Sequence, residues 1–245
     1  YGFGTPWHSP AFNDSSWQVG NGPFGFGRFN GNALPIGTDT ATQMQNLTPT
    51  LYLRKTFNVS APDAARADSL RLYVQYNDGF VCYINGKEVT RRNAGPTNQF
   101  VYRDQFAAFG TPANNEDNTT PQYRTEVITL PAANTILVPG TNVIAIHALN
   151  YWESTSAINT STNAFVTIDN RNNFYIKADL GIGSDAAIVT NNSPWRYFPG
   201  VVEPSGGVFD PARLFSAKQS VPWGRTAFDD SEWTPGSAPF GAGTP

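Results

Sequence analysis

The chain has 245 residues, of which 40% are hydrophobic and only 14% charged, with 6 Trp, 10 Tyr and 17 Phe; a sequence this aromatic has the material for a packed core and is not a disordered one. A net charge of −3 with no basic block argues against nucleic-acid binding. No apolar run approaches the roughly 18 residues of a membrane span, and a single Cys leaves no internal disulfide framework and no multi-Cys zinc site.

Taken in chain order, the local patterns are almost all β. Leu51, Leu53, Lys55, Phe57 and Val59 alternate with Tyr52, Arg54, Thr56 and Asn58, the period of two that marks a strand. Residues 61–68 are the one stretch suited to a helical turn, with Pro62 near its start. Leu70, Leu72, Val74 and Tyr76 then alternate with Ser69, Arg71, Tyr73 and Gln75. Asn77-Asp78-Gly79 follows, and Asp-Gly predicts a hairpin turn leading into a strand over 80–84. Asn85-Gly86 predicts a second hairpin, returning through 87–91. After a strand at 125–130 and the turn signal Pro139-Gly140, residues 142–149 are apolar on both faces, as for a strand covered on both sides. Further strands are predicted at 164–169 and 174–180. Short strands punctuated by Gly, Pro and Asn (22 glycines, 19 prolines) imply an all-β antiparallel sandwich of jelly-roll type.

The chain also repeats itself. Residues 7–27, from Trp7 through Phe12, Asp14 and Trp17 to Gly27, recur at residues 223–243, from Trp223 through Phe228, Asp230 and Trp233 to Gly243. The offset is 216 residues without a gap, and 11 of 21 positions are identical. A period this long makes each unit a whole domain rather than a solenoid repeat.

The ordered motifs resemble the galactose-binding-like jelly-roll domains that recur in large secreted or surface bacterial proteins, relatives of the sugar-binding domain of β-galactosidases. Those motifs are Trp195-Arg196-Tyr197, Phe228-Asp229-Asp230-Ser231-Glu232-Trp233 with its first copy Phe12 to Trp17, Tyr52-Leu53-Arg54-Lys55-Thr56-Phe57, Asn77-Asp78-Gly79, Tyr83-Ile84-Asn85-Gly86 and Pro139-Gly140-Thr141-Asn142. Two departures, Asn77 for the usual Asp and Ser154-Thr155-Ser156 for Ser-Ser-Asp, remove acidic oxygens and weaken any metal or sugar role carried over from the family. Against the family pattern the first copy lacks its opening Trp-Arg-Tyr strand. The expected organisation is a jelly roll over residues 1–180 short of one strand, a linker over 181–194, and the opening segment of a second copy over 195–245.

A sandwich short of a strand exposes unpaired backbone groups at an edge, and the simplest cure is supply by a neighbour. The leading expectation is therefore a structural subunit of an extracellular fibre or surface array, its partners being copies of itself. Trp195, Tyr197, Phe198, Trp223, Phe228 and Trp233 would pack on the next jelly roll, head to tail. The alternative is a carbohydrate-binding module of a secreted multidomain protein, in which Tyr151 and Trp152 stack on a sugar ring.

Catalytic signatures are lacking. There is no Gly-x-Ser-x-Gly elbow, His-Glu-x-x-His or phosphate loop, and Gly22 to Gly27 precedes no helix. His147, in the doubly apolar strand, reads as a hydrogen-bonded core residue, and His8 as part of a turn. Cys82 alternates with Phe80 and Ile84 and points inward. Asp229-Asp230 reads as turn-capping rather than acid/base chemistry. No cofactor is expected, although Glu116 and Asp117 could contribute to a Ca²⁺ site. Asn-x-Ser/Thr sequons occur at Asn13, Asn46, Asn58, Asn118, Asn159 and Asn191; Asn46, Asn58, Asn118 and Asn159 are the candidates for glycosylation of an extracellular chain.

Overall fold

Strand Thr50–Val59 organises the molecule, because both of its faces are covered. Leu51, Leu53, Phe57 and Val59 enter the main core, while Tyr52 and Arg54 are equally buried on the opposite side. The strand pairs antiparallel with Gly140–Leu149 along its full length, Gly140 opposite Val59 and Leu149 opposite Thr50. The computed structural model describes residues 5–29, 32–67, 69–97, 99–107, 116–117, 122–123, 125–151, 154–159, 164–169, 174–182 and 187–204.

Two sheets make an all-β sandwich. The first runs in the order 18–21, 194–199, 50–59, 140–149, 79–84, 87–92, antiparallel throughout. The second runs 126–131, 69–77, 174–182, 24–26, 38–39, with 187–189 also paired to 174–182. Its pairs are antiparallel except 24–26 with 38–39. The alternation read from 69–76 is realised: Leu70, Leu72, Val74 and Tyr76 face inward and meet Leu51, Leu53, Ile144 and Ile146 of the other sheet in one cluster. The doubly apolar run 142–149 is covered on both faces, with Ile144, Ile146 and Ala148 in the core and Ala145, His147 and Leu149 beneath outer segments. Helix Ala61–Arg66 forms where expected, its Ser60 N-cap accepting from the Asp63 N–H at 3.2 Å with Pro62 in the first turn.

Of the two predicted hairpins one forms. Asn85 and Gly86, both at positive φ (51° and 84°), turn strand Gly79–Ile84 into Lys87–Arg92. Asn77-Asp78-Gly79 does not make a hairpin. Strand Ser69–Asn77 lies in the second sheet and Gly79–Ile84 in the first, so the chain crosses the core at this point. The crossing is favoured by Tyr76 and Phe80, whose rings meet edge to face at 4.9 Å inside the core. It is pinned by the Asp78 N–H, which donates to the Leu149 carbonyl at 3.0 Å, and by the Asp78 carboxylate, which accepts from the Tyr151 N–H at 2.7 Å.

The strand expected to be missing is present, and this chain supplies it. Pro194–Pro199 lies between Gln18–Asn21 and Thr50–Val59, with Tyr197 opposite Gln18 and Arg196 opposite Arg54. Trp195 and Tyr197 are buried in the main core, and the Tyr197 hydroxyl donates to Gln18 Oε1 at 2.7 Å. Phe198 turns to the other face, its ring 5.4 Å from that of Trp17. Instead of packing on a neighbour, these three side chains close their own sandwich. The reason is alternation: with Trp195 and Tyr197 on one face, strand 194–199 offers the apolar stripe that an open edge beside 50–59 would otherwise leave wet.

Candidate functional site

The outer face of the first sheet carries two aromatic-rich coverings. One is the segment 5–21. It docks on Arg54, whose guanidinium is buried at 1% exposure. Arg54 Nε donates to Asp14 Oδ2 at 2.9 Å, and its Nη1 donates to the carbonyls of Trp7 and, at 3.1 Å, Ser9. The guanidinium also sits 5.3 Å from the Phe12 ring centroid. A buried guanidinium is tolerated because its donors find acceptors in this one segment. Around it, Trp7 lies edge to face with Tyr52 (4.8 Å) and Tyr83 (5.5 Å), and Trp17 meets Phe12 at 5.7 Å. Asn13 accepts from the Ser15 N–H at 3.0 Å, the turn-capping role read from the repeated Asp/Asn-Asp-Ser pattern. One Asp14 carboxylate oxygen, Oδ2, is committed to Arg54.

The buried titratable groups on this face are silent at neutral pH. Burial pushes the His147 imidazole down to about 3, helped by the charge of Arg91. Its ring stacks on Tyr52 at 4.1 Å. The expected hydrogen bond is not made at Nε2, which meets no partner among the described residues; stacking holds the ring instead. Burial likewise raises the Tyr52 phenol, with the Glu203 carboxylate adding to the effect, and raises the Cys82 thiol, which is fully buried. His8 is lowered by burial first, and its ring stacks on Tyr83 at 4.4 Å. Among the described residues no group of three or more His, Cys, Asp or Glu side chains is placed to share a metal.

The second covering is the loop over residues 93–107, and it behaves differently. Its frame is held from below. Arg91 forms a two-pronged pair with Glu88 (2.7 and 2.6 Å) and donates to the carbonyls of Ala94 (2.8 Å) and Gln99 (2.9 Å). The hydrogen bonds that Arg91 donates to the Glu88 carboxylate raise the proton affinity of its guanidinium. Asn93 and Gly95, at positive φ, start the loop, and the Asn93 amide donates to the Asp78 carbonyl at 2.8 Å. The Thr50 hydroxyl donates to the Arg103 carbonyl, and Arg103 Nη1 donates to the Val201 carbonyl at 2.9 Å. Val101, Ala94 and Ala107 face inward onto Val81 and Leu149. On this fixed frame Phe100, Tyr102 and Phe106 face outward at 39%, 37% and 41% exposure, with Phe100 and Tyr102 edge to face at 5.2 Å. Val201, whose carbonyl accepts from Arg103, and Val202 are exposed as well. Beside it opens a cleft of about 260 Å³ lined by Glu88, Val89, Thr90, Arg91, Arg92 and Thr97. Arg92 is paired there with Glu126 at 2.6 Å, and Glu126 also accepts from the Tyr76 phenol at 2.9 Å.

Of the residues singled out from sequence, Tyr151 is the one placed by this surface: half-buried, it packs on the cluster beneath the 93–107 loop. Trp152, Trp223, Phe228, Trp233 and Asn118 lie outside the described residues. Asn159 is in strand Ser154–Asn159, paired with Ala164–Asp169. Glu116 and Asp117 form a short strand pair with Gln122 and Tyr123. Asn46 and Asn58 are exposed, whereas Asn191 is 7% exposed and its amide donates to Asp179 at 3.2 Å. Sequence reading missed Phe100, Tyr102 and Phe106. The signal was a loop opening on Asn93-Ala94-Gly95-Pro96 that then carries large aromatics at alternate positions, Phe100 and Tyr102, flanking an inward Val101.

No protein-family model and no curated protein matches this chain. Solved structures similar to it are parts of much longer chains. An α-L-rhamnosidase from Aspergillus terreus is 14% identical over 71% of this chain and 15% of its own, with a TM-score of 0.34. For a β-glycosidase from Bacteroides vulgatus the values are 17%, 70%, 18% and 0.31, and for a Bacteroides uniformis β-glucuronidase 12%, 70%, 16% and 0.32.

Proposed function

We propose that the chain is a non-catalytic, carbohydrate-binding β-sandwich module of galactose-binding-like type, part of a secreted or surface multidomain protein. The observation that carries this reading is the 93–107 loop. Arg91, Asn93 and Thr50 fix its backbone, yet it turns Phe100, Tyr102 and Phe106 to water beside a cleft lined with guanidinium, carboxylate and hydroxyl groups. Exposing large aromatics forgoes their burial energy, so a rigid loop that does so marks a binding surface. Flat rings that can lie against the apolar side of a pyranose suit a sugar.

The non-catalytic part rests on the same accounting. Asp14, Glu88 and Glu126 are each committed to an arginine, Cys82 is fully buried, and His147 is buried and uncharged at neutral pH. A panel of immobilised plant and bacterial polysaccharides, probed with the wild-type chain and with Tyr102→Ala, tests the proposal. Retention by at least one polysaccharide, reduced tenfold or more by Tyr102→Ala, is the expected result. Equal retention of the two proteins, or none across the panel, would remove the sugar reading.

A further inference from the structure

We infer that the surface on the 93–107 loop takes single, soluble glycan chains without charge, and turns away uronate-bearing chains and crystalline polysaccharide; this rests on the sugar reading above and narrows it. The cleft carries its charge in matched pairs. Arg91 donates from Nε and Nη2 to Glu88 at 2.7 and 2.6 Å, and from Nη1 and Nη2 to the carbonyls of Ala94 and Gln99 at 2.8 and 2.9 Å. Arg92 donates from Nε and Nη2 to Glu126 Oε1 at 2.9 and 2.6 Å, and from Nη1 to the Thr90 hydroxyl at 3.2 Å and the Arg91 carbonyl at 2.9 Å. Each guanidinium lining the cleft therefore faces its own carboxylate, and all three nitrogens of each already donate to protein acceptors. A ligand carboxylate could bind an arginine here only by parting such a pair, and would then share the site with the displaced Glu88 or Glu126. Like charges at that range repel, whereas an uncharged chain displaces no carboxylate.

The rings set a second limit. The planes of Phe100 and Tyr102 stand at 81° with centroids 5.2 Å apart. Val101 between them is 5% exposed, and the Tyr102 N–H donates to Gln105 Oε1 at 3.3 Å, which fixes the backbone that carries both rings. Two rings at nearly a right angle cannot both lie against one flat crystal face. They form a corner, in which one ring covers the apolar side of a pyranose while the other stands at its edge.

Retention of the full chain on polysaccharide-coupled beads, measured against uncoupled beads, tests this. Mixed-linkage β-glucan, arabinoxylan and galactomannan serve as neutral soluble chains, polygalacturonate and alginate as uronate chains, and suspended microcrystalline cellulose and chitin as the crystalline class. The wild type should be retained by at least one neutral chain and by neither uronate, and should stay in solution over both solids. Its retention on the neutral chain should change by less than about twofold between ~20 mM and ~500 mM NaCl, because screening acts on charge and not on ring contact. Glu126→Gln gives the converse. Arg92 and Glu126 are the more accessible pair, with side chains 34% and 25% exposed against 6% and 10% for Arg91 and Glu88, and the loop's frame hangs on Arg91 rather than on them. Unpairing Arg92 should add retention on polygalacturonate that NaCl removes. Wild-type retention on a uronate equal to that on the best neutral chain would overturn the inference, as would depletion by either solid or a Glu126→Gln variant that gains nothing on polygalacturonate. Retention by no chain and no solid is a different failure: it removes the sugar reading itself, and this narrowing falls with it.

Discussion

Two aromatic-rich coverings lie on one sheet face, and they differ in where the rings point. In residues 5–21, Trp7 and Trp17 are 5% and 4% exposed and the segment's carbonyls are consumed by Arg54. In residues 93–107 the polar backbone is equally well tied down, through Arg91, Asn93 and Thr50, but the large rings point outward while the small residues Ala94 and Ala107 and the medium-sized Val101 point in. The contrast teaches that aromatic content does not separate scaffold from site. What separates them is whether the loop's inward positions are given to its large side chains or to its small ones. A segment with Trp inward buries its rings almost completely; a segment with Ala and Val inward is held by hydrogen bonds and leaves its rings more than a third exposed.

The strongest way to break the comparison is at Arg54. Arg54→Leu leaves the Asp14 carboxylate and the carbonyls of Trp7 and Ser9 without their donor beneath a closed segment, and removing one partner of a buried pair costs about 3–5 kcal/mol. Chemical denaturation should show that loss, and hydrogen exchange should show residues 7–17 opening first. The 93–107 frame hangs on Arg91, not Arg54, so its amides should keep their protection under conditions where Arg54→Leu remains folded. Equal loosening of both segments would show that they are one unit and that the contrast is false.

Much of the scaffold half was legible in the sequence. The alternation at 69–76 and the double-sided run at 142–149 placed the core correctly because burial on one or two faces is written directly into residue order. The Asn77-Asp78-Gly79 turn misled because a tight-turn signal is local, whereas the choice between pairing and crossing is made by Tyr76 and Phe80 packing in the core. The closing strand misled in a different way: Trp195-Arg196-Tyr197 was recognised as a strand, but which sandwich it completes depends on contacts 140 or more residues away, with Thr50–Val59 and Gln18–Asn21. The outward rings at Phe100, Tyr102 and Phe106 were missed because the alternation over Phe100, Val101 and Tyr102 spans too few residues of a loop to fix its facing.

A sharper but smaller effect is expected at His147, beneath the junction of the two coverings. Its folded-state proton affinity is depressed to about 3, against 6.5 for the exposed side chain. As pH falls below 6.5 the unfolded chain binds a proton that the folded one refuses, so stability is lost on acidification, flattening only near pH 3. Between pH 6.5 and pH 5 that amounts to roughly 2 kcal/mol from this group. His8, lowered in the same direction, adds to the slope. His147→Phe keeps a ring for Tyr52 to stack on and removes the titration. Its denaturation midpoint should fall less than that of the wild type over this pH range, by that difference. An unchanged slope would mean that the imidazole reaches water.

The smallest stability effect is expected where the proposed ligand surface lies, and its smallness is the point. Phe100→Ser with Tyr102→Ser removes two rings that are more than a third exposed and leaves the inward Val101, Ala94 and Ala107 packing untouched. Rings that keep more than a third of their area in water lose less on truncation than fully buried ones, so the double variant should stay below the roughly 3–5 kcal/mol of one buried aromatic truncation. Trp7→Ala, by comparison, opens a cavity among Tyr52, Tyr83 and Trp17 and should cost about 3–5 kcal/mol. If instead the Phe100 and Tyr102 pair proves as costly as Trp7, those rings belong to the scaffold, and retention on polysaccharide would have to be sought on another face.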